Sequence, residues 1–195
     1  AEFEEKMKKM TDAAASVSAS DGKSREEMVV KYVHDQVTQG TVYRLEDDCT
    51  PGNAGHIATV YGALVKGESL CEGYARAVKC VLDRLGIPCV LVQGMYQVSE
   101  HQSELHMWNY VQISGEWYGV DATMDDRESG VSDRYLLAGD QIFGIHHNPG
   151  GIMSPAGFEF TYPQLSGSGG EYKVLSSDNG LVVEYRDGNE FEVET

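Results

Sequence analysis

Residues 71–85 carry the clearest helical pattern in the chain, and the sequence changes period directly after it. Apolar and small side chains recur there at helical spacing, at Cys71, Tyr74, Ala75, Val78, Leu82 and Leu85. Gly86 then supplies a residue suited to a left-handed helix end, and Pro88 prevents continuation. The next segment, 89–93, is a short apolar run typical of a buried strand.

Two more strands are predicted after this run. Segments 106–113 and 116–122 flank Ser114-Gly115, a two-residue turn that indicates a β-hairpin. A helix followed by antiparallel strands predicts an α+β fold, in which the Cys-bearing helix packs on an antiparallel sheet.

The rest of the chain divides around this unit. Residues 1–23 are polar and predict an N-terminal arm with some helix, whereas 24–165 form the main domain. That domain opens with a capping box, Ser24-x-x-Glu27, and a helix that stops near Gly40; residues 44–57 have the chemistry of a loop. Residues 166–195 predict a flexible link at 166–170 and then a small β appendage, with strands at 172–176, 181–186 and 190–194.

Composition narrows the function classes. The 195 residues carry a formal net charge of -16, which disfavours binding to nucleic acid and to anionic lipid. Neutral or cationic binding partners remain compatible with this charge. No apolar stretch approaches the roughly 20 residues that span a bilayer. The four cysteines form no C-x-x-C pair and no calcium-loop motif occurs, so we expect no metal and no cofactor. Because the chain lacks an initiator Met, we expect a processed or excised piece of a secreted or cell-surface protein.

Cys71 is the first residue of interest for chemistry, since it falls in the first turn of the predicted helix. Backbone N–H groups and the helix dipole favour an anion there, and thus a thiolate. Most free cysteines are small buried hydrophobes, so this position alone does not identify a nucleophile.

His106 and Asp121 supply the partners that a thiol nucleophile needs. His106 opens one strand of the hairpin, and Asp121 lies near the end of the other. Pairing across the turn brings Asp121 near Asn109, within a few residues of His106. The order of helix cysteine, strand histidine and hairpin aspartate therefore predicts a Cys71–His106–Asp121 triad, with the imidazole activating the thiol and the carboxylate fixing the imidazole.

The segments that carry these residues resemble the bacterial transglutaminase-like proteins. The resemblance is strong over 57–126 and rests on Leu70-Cys71-Glu72-Gly73-Tyr74-Ala75, Leu85-Gly86-Ile87-Pro88, His106-Met107-Trp108-Asn109-Tyr110-Val111 and Trp117-Tyr118-Gly119-Val120-Asp121-Ala122-Thr123. It implies a papain-like core, with Cys71 as nucleophile, His106 as general base and then acid, and Asp121 as the orienting residue.

The resemblance also indicates a substrate cleft. Met107 stands where the family usually has Ala and Met124 where it often has Trp; with Trp108 they are expected to line the cleft. The Cys71 backbone N–H is expected in the oxyanion hole, and Tyr61 is the candidate for the second donor. A segment at Tyr135-Leu136-Leu137 and a later histidine resemble a C-terminal feature of these proteins, and no role is assigned to them. The other histidines, His146 and His147 among them, are treated as non-catalytic.

The triad implies acyl transfer on a peptide or carboxamide bond through a thioester. Water as acceptor gives a cysteine peptidase or amidase, which we favour because water is always present. An amine acceptor gives a protein-glutamine transglutaminase, and the acidic surface suits a cationic substrate or acceptor. A non-catalytic peptide-binding module of a surface protein is the third reading, and an intact triad argues against it.

Overall fold

A computed structural model of the chain describes residues 2–45, 54–150, 161–167, 169, 172–177, 180–185 and 190–193. The helices are α1 (Glu2–Ala15), α2 (Arg25–Gly40), α3 (Cys71–Arg84) and the short α4 (Asp140–Phe143). The strands are β1 (Val42–Tyr43), β2 (Glu68–Ser69), β3 (Cys89–Ser99), β4 (Gln102–Ile113), β5 (Glu116–Val120), β6 (Asp126–Arg127), β7 (Gly130–Val131), β8 (His147–Pro149), β9 (Tyr172–Ser177), β10 (Gly180–Tyr185) and β11 (Glu190–Val193). A 3-10 turn (Ala54–His56) and a π-helical turn (Gly62–Lys66) lie between β1 and β2.

The central sheet has four antiparallel strands in the order β5-β4-β3-β8. The predicted hairpin is confirmed, because Ile113 pairs with Glu116 across the Ser114-Gly115 turn and Asn109 pairs with Val120. The α+β prediction is confirmed as well. The strand predicted at 89–93 is longer than expected, since β3 continues to Ser99 and carries the edge strand β8 on its free side.

Apolar residues pack on both faces of this sheet. One core lies between the sheet and helices α1, α2 and α3, and includes Val33, Tyr74, Val78, Leu82 and Val111. The second lies on the other face, around Trp108, Tyr110, Tyr135, Ile142 and Phe143. The sheet is therefore buried on both sides.

The N-terminal arm predicted over residues 1–23 contributes a core helix. Met7 and Ala14 of α1 are fully buried, Met10 is nearly so, and all three belong to the same core as α3. Their spacing of three and four residues is helical, but glutamates and lysines surround them, so the sequence looked polar throughout.

The start of α2 follows the predicted capping box. Ser24 Oγ accepts from the Glu27 N–H at 3.2 Å, and the Glu27 carboxylate accepts from the Ser24 N–H at 2.6 Å. Two donors at the helix start are thus satisfied, and the helix ends at Gly40 as expected.

The C-terminal strands β9, β10 and β11 form a three-stranded antiparallel sheet, as the alternating pattern predicted. The segment predicted as a flexible link forms backbone hydrogen bonds to the main domain at the residues that the structure describes. Ser166 donates its N–H to the Trp117 carbonyl at 2.8 Å, and Gly169 accepts from the Gly139 N–H at 2.9 Å. Among the described residues, none of the helices combines the length and apolarity needed to cross a bilayer.

Candidate active site

The local backbone places Cys71 as the first residue of α3. The preceding Leu70 is extended, with φ -80° and ψ 171°, and its N–H donates to the Ile57 carbonyl at 2.8 Å. Ser69 pairs with Tyr43 in the parallel ladder of β1 and β2, and its hydroxyl also donates to Ile57. The turn before the helix is therefore fixed from two sides, and Cys71 lies at an end of a helix where backbone N–H groups are unpaired within the helix.

Gly73 allows this close packing. A Cβ at Gly73 would lie 1.8 Å from Ser69 Oγ and 2.9 Å from the Ile57 carbonyl oxygen. The absence of a side chain at Gly73 lets the Ile57 backbone lie close to the start of α3. Any side chain here would displace the segment that sets the start of α3, and Cys71 with it.

His106 lies between Cys71 and Asp121. Its Nε2 is 2.7 Å from Asp121 Oδ2, and both residues are buried. The Cys71 thiol lies within interaction range of the same ring. With Nε2 taken by Asp121, Nδ1 is the nitrogen left for the thiol. Burial lowers the pKa of His106, but the charge of Asp121 and hydrogen bonds to Asp121 and Cys71 outweigh it and raise this pKa to about 10.

Asp121 is held as an anion by a turn that closes on it. It follows β5, and its own N–H donates to the Tyr135 carbonyl at 3.0 Å. The N–H groups of Thr123 and Met124 both donate to Oδ1 at 3.1 Å. Burial raises the pKa of Asp121, but the charge of His106 and hydrogen bonds from His106 and His147 lower it well below its usual value.

The structure places beside Asp121 a histidine that the sequence led us to treat as non-catalytic. His147 Nε2 is 2.8 Å from the same Asp121 Oδ2 that binds His106, although the two residues are 26 positions apart. The ring is buried and stacks on Phe143, with centroids 3.8 Å apart. His147 lies in β8, a strand that the irregular sequence around it did not predict. The signal available was the resemblance of a later histidine to a C-terminal family feature.

A comparison with models of protein families identifies the family of this chain. The family model described as the transglutaminase-like superfamily matches residues 12–122, more than half of the chain. The chain belongs to the transglutaminase-like superfamily. The match covers Cys71, His106 and Asp121, and confirms the resemblance seen in the sequence.

Solved structures are similar to this transglutaminase-like chain in part of their length. A crystal structure of a TGase is 18% identical with a TM-score of 0.51, and the match covers 67% of this chain and 34% of that one. A protein described as a putative cysteine protease from Cytophaga hutchinsonii is 15% identical with a TM-score of 0.44, covering 67% and 40%. This chain thus spans less than half of either protein. None of the curated protein sequences matches it significantly.

Trp108 does not line an open cleft in this transglutaminase-like domain. It is 1% exposed and belongs to the second core, with its ring stacked 6.0 Å from that of His106 and 4.9 Å from that of His147. Trp108 and His106 share a strand face, and the Phe143 ring of α4 and the His147 ring of β8 pack against Trp108. The Trp108 ring therefore supports the His106 ring by packing against it. Met107 and Met124 are half-buried, and Met124 also packs against the second core.

Tyr43, which the sequence analysis did not single out, lies beside the nucleophile. Tyr43 pairs in the β1–β2 ladder with Ser69, the residue two positions before Cys71. The half-exposed ring of Tyr43 is 6.4 Å from the ring of Tyr74. Burial raises the pKa of Tyr43, and the charges of Cys71, Glu104 and Asp121 raise it further, so the phenol keeps its proton. Tyr61, the residue expected to complete the oxyanion hole, is half-exposed with the Lys66 ammonium 5.6 Å above its ring.

The other described cysteines are poor nucleophiles by comparison. Burial raises the pKa of Cys80, and raises that of Cys89 to about 12. Both pack in or against the first core, and Cys89 also accepts a hydrogen bond from Asn109 at 3.4 Å. Cys71, Cys80 and Cys89 are free thiols, and Cys49 lies outside the described residues. A thiolate is therefore disfavoured at both of the other cysteines that the structure describes.

Within the described ranges, two groups bring together three side chains of metal-ligand chemistry. The first is His106, Asp121 and His147, whose nitrogens are already hydrogen-bonded to the carboxylate. The second is His34, Asp35 and Asp133, where the Lys31 ammonium lies 2.6 Å from Asp133 and 3.1 Å from Asp35. At the first group, a metal ion would have to displace the hydrogen bond between His106 and Asp121. At the second group, it would have to approach the Lys31 ammonium. We expect neither to be a resident metal site.

Proposed function

We propose that this domain catalyses thiol-dependent acyl transfer on peptide or carboxamide bonds through a Cys71 acyl-enzyme, with water as the main acceptor. That makes it a cysteine peptidase or amidase. The observation that carries the proposal is the buried His106 ring, with Asp121 Oδ2 2.7 Å from Nε2 and the Cys71 thiol within interaction range of the same ring. A histidine that shares its two nitrogens between a carboxylate and a thiol is the arrangement that activates a cysteine nucleophile.

The first step follows from the proton positions. The raised pKa of His106 favours the imidazolium at neutral pH, so this ring holds the proton when the Cys71 sulfur attacks as a thiolate. The Cys71 sulfur attacks the carbonyl carbon, and the carbonyl π electrons move to oxygen. The Cys71 backbone N–H at the start of α3 stabilises this oxyanion, and the Tyr43 phenol is our candidate for the second donor.

The second half of the reaction uses the same ring in both directions. The imidazolium of His106 gives its proton to the leaving amine, the carbon–nitrogen bond breaks, and a thioester remains. Neutral His106 then takes a proton from water, whose oxygen attacks the thioester and restores the Cys71 thiolate. Asp121 keeps the ring in one orientation throughout, since its carboxylate is fixed by the N–H groups of Thr123 and Met124.

A transglutaminase reaction is the alternative for the same acyl-enzyme. Its support is the net charge of -16, which raises the local concentration of cationic or amine-bearing partners around the domain. The substrate in either case is a peptide or protein, and a cationic one fits this surface best.

Ammonia release and product mass from glutamine peptides test the proposal. We expect the wild-type protein to release ammonia and form glutamate, and Cys71→Ala to release none. An added primary amine should leave most of the product as glutamate. If the amine replaces water in most of the product, the protein is a transglutaminase. If neither glutamine peptides nor lysine-rich peptides react, and Cys71→Ala binds them as tightly as wild type does, the domain is a binding module.

A further inference from the structure

Asp121 carries a full set of hydrogen bonds, and one of them has no part in the reaction proposed above. A carboxylate offers about four lone-pair sites. Thr123 and Met124 donate to Oδ1, and the two histidines His106 and His147 meet Oδ2 at 2.7 and 2.8 Å. His106 is needed for chemistry, whereas His147 faces the carboxylate from the opposite strand of the sheet.

The fold brings His147 to this point by a specific route. Strand β3 lies between β4 and β8, with Gly94 opposite His106 on one side and Tyr96 opposite His147 on the other. A Cβ at Gly94 would lie 2.2 Å from the Asn148 carbonyl oxygen and 2.8 Å from the Trp108 ring. Glycine at this position lets β8 lie close to β3 and to the Trp108 ring. The His147 side chain then reaches Asp121.

The His147 ring itself is fixed on every side. Phe143 stacks on one face at 3.8 Å, and Trp108, Tyr135 and Tyr96 meet it edge-on at about 5 Å between centroids. Its Nδ1 lies 3.1 Å from the Phe143 carbonyl oxygen. A neutral imidazole has one N–H, and of the two acceptors the charged Asp121 is the stronger. The proton therefore belongs on Nε2, directed at Oδ2.

We propose that His147 is a positioning residue for the catalytic pair, which holds the Asp121 carboxylate in the one rotation that aligns His106 with Cys71. This inference rests on the proposed thiol chemistry. Without the His147 donor, one lone pair of a buried anion is unsatisfied, and the carboxylate can rotate or tilt toward the vacated space. His106 then loses the fixed orientation that its interaction with the thiol requires.

A double-mutant cycle tests whether His147 acts through Asp121. The readout is the rate of Cys71 alkylation by iodoacetamide at pH 7. We expect His147→Ala to slow it about tenfold in the wild-type background, within the range of effects seen for groups that orient a catalytic side chain. In the Asp121→Asn background the same change should alter the rate less than about twofold, because the partner through which it acts is already changed.

Two further variants separate positioning from general packing. His147→Gln places an amide N–H where Nε2 lies, and should restore most of the rate that alanine loses. His146→Ala removes the neighbouring ring, which stacks on Tyr96 at 5.5 Å and bonds to the Gln97 carbonyl. It should leave Cys71 alkylation unchanged within about twofold. Equal loss from His147→Ala in both backgrounds, or no loss in either, overturns the proposal.

Nitrogen-15 NMR of the wild-type protein tests the same idea without a variant at His147, which covers the case where that variant does not fold. We expect the imidazole proton of His147 on Nε2 at pH 7, and an altered Nε2 resonance in Asp121→Asn. A proton on Nδ1 directed at Phe143 would contradict the proposal. Slow, unselective alkylation of wild-type Cys71 would instead refute the proposed function, so the two failures are distinguishable.

Discussion

Two buried histidine–aspartate pairs lie at the two ends of one turn, and only one of them faces a nucleophile. His106 and Asp121 form the first, 2.7 Å apart, and His34 and Asp125 form the second, 3.2 Å apart. The turn links them directly, since the Asp125 N–H donates to the Asp121 carbonyl at 3.2 Å. The same pair of residue types thus occurs twice, and the two aspartates lie in the same turn.

The proton affinities of the two rings are similar. Burial lowers the pKa of His34, but hydrogen bonds to Asp125 and Asp35 outweigh it and raise the pKa to about 9. The pKa of His106 is raised to about 10 by the corresponding contacts. The difference lies at the second ring nitrogen. In His34, Nδ1 lies 2.9 Å from the Asp35 carboxylate, whereas the second nitrogen of His106 is left for a thiol.

The comparison teaches that a buried histidine–aspartate pair can serve chemistry or structure according to its third neighbour. A second carboxylate makes His34 a buried cation that joins α2 to the turn after β5. A thiol at the same relative place makes His106 a proton donor and acceptor for a reaction. A perturbed pKa alone would not have distinguished the two rings.

The largest effect should come from removing each ring in turn and measuring Cys71 alkylation at pH 7. We expect His106→Ala to slow it by about 10² to 10⁴, the usual contribution of a positioned acid–base group. His34→Ala should change the rate per folded molecule less than about threefold. If His34→Ala slows alkylation as much as His106→Ala does, the distinction between the pairs is wrong.

Stability should respond in the opposite order. His34→Ala leaves Asp125 buried without its cationic partner, and should lower the free energy of unfolding by about 3–5 kcal/mol. His106→Ala should cost less, because Asp121 keeps the donors of His147, Thr123 and Met124. Urea unfolding of both variants at pH 7 measures the difference. A larger loss for His106→Ala would contradict this expectation.

The pH dependence of stability gives a smaller, related effect. The folded-state pKa of His34 is about 9, above the ordinary 6.5, so its stabilisation is fully present below pH 6.5 and is lost as the pH rises through about 9. We expect His34 to contribute a fall of a few kcal/mol in the free energy of unfolding across this window, and His106, whose folded-state pKa is about 10, to contribute a further fall. His34→Gln should flatten the fall, and an equally steep fall in that variant would exclude His34 as its source.

The smallest expected effect concerns the second donor to the oxyanion. Tyr43→Phe removes a phenol beside Cys71, and should reduce kcat about tenfold with little change in KM if it stabilises the oxyanion. Tyr61→Phe is the matching variant for the residue that the sequence favoured. A drop in kcat for Tyr61→Phe and none for Tyr43→Phe would return the second donor to Tyr61.

Local signals allowed much of the site to be predicted. The helical pattern of residues 71–85 predicts Cys71 in the first turn of a helix, and α3 begins at that residue. His106 and Asp121 were brought together by a two-residue turn, which sets the register of every pair along the hairpin. Such features depend on neighbours in sequence, and the structure agrees with them.

The residues that were missed depend on contacts between distant segments. His147 reaches Asp121 through a short edge strand with no alternating pattern, and only the sheet order β4-β3-β8 places it there. Tyr43 lies beside Cys71 because β1 pairs with β2 over two residues. The family resemblance places Trp108 in the cleft, whereas the structure buries it against the rings of Phe143 and His147. No period in the sequence reports these contacts.

Selective alkylation of the wild-type protein tests the central claim most directly. Iodoacetamide at limiting concentration between pH 6 and 8, followed by peptide mass spectrometry, gives the relative rates of the cysteines. We predict that Cys71 reacts at least about tenfold faster than Cys80 and Cys89, since burial raises the pKa of both of those thiols and His106 activates Cys71. Equal rates for the three, or a Cys71 rate unchanged by His106→Ala, would contradict the account.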